Sequence, residues 1–255
     1  MAKQICDFQV VENKKLRNDY FILELLAPGS LPDIQPGQFV QALVENSPGT
    51  FLRRPLSIHD VDEAKNMIKL LVQVVGPGTA TLSNLRESDS LNLVLPLGNS
   101  FSDPAPDDRI LLVGGGCGVA PLLYLAKTLV AKGHKPEILM GFRNKERVIE
   151  YEEYEKLGKV WLTTEDGSAG EKGFVTNHPV LERENFSRIY CCGPDPMMKA
   201  VAYHSRSKGI VCEVSLENLM ACGFGVCLCC VVNTVKGNLC SCTDGPVFNI
   251  EDLKW

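Results

Sequence analysis

The chain has 255 residues, 45% of them hydrophobic, and a formal net charge of -5. That is enough apolar material for two modest domains and an appendage. Its basic residues are scattered and form neither a nucleic-acid footprint nor a polybasic membrane anchor, so no nucleic acid and no membrane is expected as a partner.

The segment Met1 to Asn13 mixes Lys3, Asp7 and Glu12 with apolar residues. It lacks the apolar core of a signal peptide, and a cytoplasmic location is expected. Short β-type runs follow at Tyr20 to Leu25, Phe39 to Val44, Met67 to Val75 and Leu91 to Leu95, separated by the turn signals Pro36-Gly37, Pro48-Gly49 and Gly76-Pro77-Gly78. This spacing predicts an antiparallel barrel or sandwich. Two segments within it suit phosphate. In Arg54-Pro55-Leu56-Ser57 an arginine fork can make bidentate, charge-assisted bonds to a flavin pyrophosphate while the proline stiffens the approach. Alone, the same residues describe a solvated turn. Gly78 and Thr79 precede a short helix predicted over Ala80 to Arg86, with Thr79 as its cap and amides turned to a phosphate. The plain alternative is an ordinary capped turn. The apolar strand Ile68 to Val75 joins the two segments, and its Leu71, Val72 and Gln73 are counted with them as candidate flavin contacts.

The stretch Ser102 to Asp107 is polar and proline-bearing, with linker composition. Beyond it strand and helix alternate: strand Ile110 to Val113, helix Val119 to Ala131, and strands Glu137 to Gly141, Val160 to Thr163 and Arg188 to Cys192. Such alternation predicts an open, mostly parallel α/β sheet. The apolar run Ile110 to Ala126 is short of a membrane span and is interrupted by four glycines. Gly114, Gly115, Gly116 and Gly118 form a strand-to-helix turn, with Pro121 near the first helical turn. Val119 occupies the third glycine position of the usual dinucleotide fingerprint. The turn still offers unhindered amides to a pyrophosphate; tight packing is the alternative. Cys192, Gly193 and Pro194 again follow a strand and precede a helix, and ligands of such sheets bind at the carboxyl ends of strands. Arg143, Lys145 and Arg147 follow the second strand, where a 2'-phosphate would be met, or where a solvated loop would lie.

Past Gly209 the sequence turns rich in Cys and Gly. Six of the 11 cysteines lie between Cys222 and Cys242. In a chain without an export signal that clustering points to metal. Cys222, Cys227 and Cys230 have the plant-type ferredoxin spacing, and Cys242 closes the set as a distant fourth ligand. Gly223 and Gly225 let the backbone curl and bring amides toward sulfur. A structural zinc site would need two short C-x2-C pairs, and only Cys227 and Cys230 make one. Cys229 and Cys240 break the spacing and are read as neighbours, not ligands. No Ser-His-Asp or paired-carboxylate arrangement is legible.

Arg54 with Ser57, Gly78 with Thr79, Gly114 with Gly116 and Pro121, and Cys192 with Gly193 and Pro194 together resemble the ferredoxin-NADP reductase superfamily over essentially the whole chain. The resemblance implies a six-stranded FAD-binding β barrel (1–103), a parallel-sheet α/β domain for NAD (104–209) and a small cluster domain (210–255). The tail, from Met220 through Cys227 and Cys230 to Cys242-Thr243-Asp244-Gly245-Pro246, is similar to the electron-transfer subunits of class 1B dihydroorotate dehydrogenases. That likeness implies FAD, a [2Fe-2S] cluster on Cys222, Cys227, Cys230 and Cys242, NAD as co-substrate, and an FMN-containing catalytic subunit paired as a heterotetramer of two of each. It also puts Cys192 near the nicotinamide and Ser57 near the flavin ring. Two other functions stay open at this point. One is an NAD(P)H reductase subunit for sulfide or ferredoxin, some of whose members replace the first cysteine with aspartate; the other is a redox sensor without turnover.

Overall fold

The computed structural model describes residues 3–17, 19–183 and 185–255. Met1 and Ala2, at the start of the segment Met1 to Asn13, lie outside the described residues. The first half is antiparallel: β1 (Gln4–Lys15), β2 (Tyr20–Leu26), β3 (Phe39–Ala42), β4 (Arg54–Ser57), β5 (Asp60–Asp62), β6 (Met67–Gln73), the short helix α1 (Pro77–Leu82) and β7 (Ser90–Leu97). The strands lie in the order β4-β3-β7-β1-β2-β6-β5. The two edges of this sheet are the two halves of one segment, 54–62, which pairs with β3 at its start and with β6 at its end. The sheet therefore curls back on itself.

Strand β2 shows no polar-apolar alternation because both its faces are covered. Phe21, Leu23 and Leu25 point into the curled core. Tyr20 and Ile22, with Leu71 opposite Ile22 on β6, pack instead against the second half of the chain. Helix α1 starts three residues before the predicted Ala80. Pro77 takes a first-turn position, where its fixed φ suits the helix and its absent N–H costs nothing. Thr79 consequently sits inside the first turn. Its hydroxyl accepts from the amides of Val75 and Gly76 at 2.9 and 3.2 Å. The carboxyl end closes early because the Asn13 amide donates to the carbonyls of Leu82, Ser83 and Leu85.

The second half comprises β8 (Ile110–Gly115), α2 (Ala120–Ala131), β9 (Glu137–Phe142), α3 (Tyr151–Glu155), β10 (Val160–Thr164), β11 (Glu171–Lys172), α4 (Val180–Arg183), β12 (Arg188–Cys192), α5 (Asp195–Lys208) and β13 (Val211–Ser215). A hairpin of β14 (Val231–Thr234) and β15 (Gly237–Cys240) and a last strand β16 (Val247–Asn249) complete the chain. The second sheet has the order β11-β10-β9-β8-β12-β13-β16. It is parallel from β11 to β13, and β16 is antiparallel. Its hydrogen bonding thus runs on past position 209, where the composition changes. The cysteine-rich lobe is the excursion between β13 and β16. Among the described residues no helix is long and apolar enough to cross a membrane.

Candidate functional site

The strand order of the second sheet reverses beside β8, whose neighbours are β9 and β12. A crevice opens at such a switch point, at the carboxyl ends of the strands. Gly114 is the register partner of Cys192, and Cys192 is the partner of Ser215 on β13. The two glycine segments singled out in the sequence therefore meet. They meet closely: a Cβ on Gly118 would stand 2.4 Å from the Cys192 carbonyl oxygen and the Gly193 Cα. One on Gly115 would stand 3.0 Å from Pro194 Cδ. Gly114, Pro121, Cys192 and Gly193 are buried, Gly116 is half-buried and Pro194 is exposed at the rim.

The curled sheet supplies the opposite wall. Tyr20 Oη would lie 3.8 Å from a Cβ on Gly116. The backbone of Gln73, at the end of β6, hydrogen-bonds toward the Cys117 thiol. Leu71 and Val72 are buried on that same strand. Arg54, Pro55, Leu56 and Ser57 form β4 and are all half-buried. The Arg54 guanidinium lies against the α1 turn, its Nε 3.0 Å from where a Gly78 Cβ would be, and it donates to the Leu52 carbonyl at 2.9 Å. The two candidate flavin segments are thus brought together although two strands, β5 and β6, and their connections lie between them. Arg53 works differently. It donates to the backbone carbonyls of Gln41 and Asn92 and ties β3 to β7.

Titration in the crevice follows from enclosure. Burial pushes the Cys192 thiol well above its ordinary value, with the Glu217 and Cys117 charges adding to it. Burial likewise pushes Cys117 and Tyr20 up to about 12. Neither cysteine is a thiolate nucleophile at neutral pH. Glu217 opens to solvent at the mouth, yet the surrounding walls displace enough water to raise its carboxyl. Sequence reasoning missed Glu217 and Tyr20, and it also missed two groups that fix the entry of α2. His59, fully buried, donates from Nδ1 to the Ala120 carbonyl at 2.8 Å and faces Glu150 with Nε2 at 3.4 Å. Tyr154 donates to the Val119 carbonyl at 2.5 Å. No local pattern announces these residues, because their partners lie 35 to 91 positions away.

The cysteines gather in the lobe between β13 and β16. Among the described residues no three His, Cys, Asp or Glu side chains close on one point. The Cys222 thiol contacts Cys227, and the Cys230 thiol contacts both Cys242 and Cys240. Four of these thiols supply the four-cysteine ligand set that a [2Fe-2S] centre needs. The loop is built for anionic sulfur. Gly223 and Gly225 adopt φ of +75° and +79°, a left-handed backbone open to glycine. The curl turns the Phe224 amide to Cys222 Sγ at 3.3 Å and the Gly225 amide to Cys242 Sγ at 3.1 Å. The Phe224 amide, with further help from Cys227, pulls the Cys222 thiol down to about 6. Burial pushes Cys242 up to about 12. Cys229 points its thiol at the Leu219 carbonyl, 3.6 Å away, and Cys240 touches Cys230. Met220, Cys230, Cys240 and Cys242 pack on Phe39, Val94 and Leu97 of β3 and β7. The curled sheet therefore has the cysteines on one side and the glycine crevice on another.

Comparison with known proteins adds an independent line. Residues 217–254 match the model of the iron-sulfur cluster binding domain of dihydroorotate dehydrogenase B, and residues 112–203 match an oxidoreductase NAD-binding domain. The electron transfer subunit of dihydroorotate dehydrogenase B (NAD(+)) from Caldanaerobacter subterraneus is 39% identical over 249 residues, covering 96% of either chain. Its counterpart from Fusobacterium nucleatum is 36% identical, covering 98% of this chain and 99% of its own. Among solved structures, a chain of the NADH-dependent reduced ferredoxin-NADP oxidoreductase superposes with a TM-score of 0.88 at 32% identity, over 97% of this chain and 90% of that one. The ferredoxin reductase of carbazole 1,9a-dioxygenase, at 20% identity and a TM-score of 0.70 over 82% of this chain and 67% of its own, shares the fold.

Proposed function

Since the chain belongs to the electron-transfer subunits of NAD-dependent dihydroorotate dehydrogenase B, we propose which residues hold its redox groups and in what order those groups stand. The protein is an oxidoreductase subunit of pyrimidine biosynthesis with an iron-sulfur domain and a flavin- and NAD-binding oxidoreductase fold, and it implies a catalytic dihydroorotate dehydrogenase partner. When bound, FAD exchanges a hydride with NAD and single electrons with a [2Fe-2S] cluster, which connects to the FMN of the catalytic subunit.

Cys222, Cys227, Cys230 and Cys242 would hold the cluster through their thiolates. Arg54 and the Gly78 turn grip the FAD pyrophosphate, with Thr79 locking that turn. Pro55, Leu56 and Ser57 and the strand Leu71, Val72 and Gln73 carry the flavin toward the crevice. Gly114, Gly116 and Pro121 receive the NAD pyrophosphate, and Cys192, Gly193 and Pro194 line the nicotinamide end. Cys192 stays protonated there and acts by shape and polarity. The observation that carries this order is the double contact of the curled sheet. Its β3 and β7 touch the cysteine lobe, while its Tyr20 and Gln73 reach the glycine turn. A flavin on that sheet has a metal centre on one side and the nucleotide on the other.

The expected assembly is a heterotetramer, two copies of this chain with two FMN-bearing catalytic subunits. Co-purification from the native host, followed by NAD-dependent orotate formation from dihydroorotate, tests the reading. A complex that reduces NAD with another donor and ignores dihydroorotate would refute it. Replacing any one of the four cysteines with Ser should abolish transfer from the partner and spare flavin reduction by NADH; equal loss of both would overturn the division of labour.

A further inference from the structure

Among the described residues several buried polar atoms lack a partner, Ser241 Oγ within the cysteine lobe included, and only Gln41 leaves both ends of a side-chain amide unbonded. Gln41, in the middle of β3, has no solvent exposure, and neither its Nε2 nor its Oε1 has a hydrogen-bond partner among the described residues. Strand alternation explains where it points. Val40 and Ala42 face the curled core. Gln41 therefore shares the outer face with Phe39, which packs with Val94, Leu97 and the cysteines Cys230, Cys240 and Cys242. Val94 is its cross-strand neighbour on one side and Pro55 of the flavin strand on the other. Directly above lies the cysteine loop: a Cβ on Gly223 would stand 3.1 Å from Gln41 Cγ and 3.4 Å from its Nε2.

An amide in that position is costly. A buried donor or acceptor left unmade keeps its full desolvation penalty, whereas an apolar side chain of the same size would fill the seam at no such cost. The loop beside it already directs the amides of Phe224 and Gly225 at sulfur. Sulfur in a loaded cluster carries negative charge and accepts hydrogen bonds, and such bonds are among the protein's levers on cluster potential.

We propose that Gln41 donates an N–H hydrogen bond from the flavin sheet to a sulfur of the iron-sulfur cluster and thereby raises the cluster's reduction potential. This rests on the reading that the four cysteines hold such a cluster. Reduction adds an electron to the cluster, so a donor stabilises the reduced state more than the oxidised one. Gln41 is then a positioning and tuning residue between the two redox groups, since one edge of its strand pairs with the flavin segment and its amide meets the cluster loop.

The test is an EPR-monitored redox titration of the complete complex, wild type against Gln41→Leu. Loss of the donor should disfavour cluster reduction three- to tenfold, a fall in midpoint potential of roughly 30–60 mV at about 59 mV per decade for one electron. A Leu variant with full cluster content and an unchanged midpoint overturns the proposal, because a space-filling side chain or a water-bridged amide predicts that result. Should the variant not load its cluster, pulsed EPR of the reduced wild type with 15N-labelled glutamine side chains decides. A strong coupling from that label supports the bond, and no coupling overturns it. A wild type without any cluster fails differently: it removes the cysteine assignment and this proposal together.

Discussion

Gly118→Ala is the sharpest probe of the crevice, since the obstacle a new Cβ meets is backbone. The added carbon would stand 2.4 Å from the Cys192 carbonyl oxygen, 2.4 Å from Gly193 Cα and 2.5 Å from the Cys192 carbonyl carbon. Favourable contacts between carbons lie near 3.5–4.0 Å, so more than about 1 Å of overlap must be relieved. No side chain can rotate away. Relief means parting the end of β12 from the turn after β8, against the register that pairs Cys192 with Gly114. Overpacking of this kind costs about 3 kcal/mol, the upper part of the usual range. In a chain of this size that lowers Tm by roughly 6–12 °C. The same parting misplaces the nucleotide, and a shift of about 1 Å can cost on the order of 100-fold in kcat/KM. Thermal unfolding of the flavin-loaded protein and NADH oxidation with ferricyanide as acceptor measure both effects. Gly29→Ala, where a Cβ meets nothing within 4 Å, is the silent control. A Gly118→Ala protein with the Tm and KM of wild type would refute the contact between the two glycine segments.

Arg54→Ala should weaken flavin retention: a charge-assisted bond is worth about 1.5–3 kcal/mol, so the dissociation constant rises roughly tenfold or more, as followed by flavin fluorescence on dilution. Arg53→Ala should reduce stability instead, because that guanidinium ties β3 to β7. Asp108 lies below its ordinary value of 3.8: burial works against it, but the Ser187 hydroxyl, the Arg188 guanidinium and the Ala105 amide prevail. A depressed folded pKa stabilises fully above the unfolded value and less as pH falls through the folded one. The penalty of Asp108→Asn in urea unfolding should therefore be present at pH 7 and shrink in strong acid, below that unfolded value; a penalty that grows in acid would contradict the sign.

What the sequence shows plainly is what the chain builds locally. The four spaced cysteines lie within 21 residues, and Gly114 to Pro121 is a strand-turn-helix unit whose backbone needs are written in its glycines. The start of α1 was also local, and Pro77 at a first-turn position marks it better than the cap assigned to Thr79. Gln41, Tyr20 and His59 are of another kind. Each sits in or beside an ordinary strand, and each becomes significant through a partner far along the chain: Gly223, Gly116 and Ala120. Strand register and the curl of a sheet create such neighbours, and neither has a periodic signature.

Long-range pairing also explains why the cysteine lobe is fastened as it is. Its entry and exit are bonded to each other: Ser215 pairs with Val247, and the Leu216 amide donates to the Pro246 carbonyl at 2.9 Å. The far end of the lobe is tied down by Thr234 against Leu253, and Asn99 holds the Asp244 and Gly245 carbonyls to the curled sheet. The lobe therefore hangs from the strand beside the glycine crevice and rests on the curled sheet. Glu217 occupies the first turn of that excursion, where its charge acts on Cys192 and Cys117. Metal binding that orders a ligand loop contributes to folding free energy, and this loop is bonded at its base to β13 and to the end of β7. The cysteine lobe is thus fastened to the strand beside the glycine crevice and to the curled sheet alike.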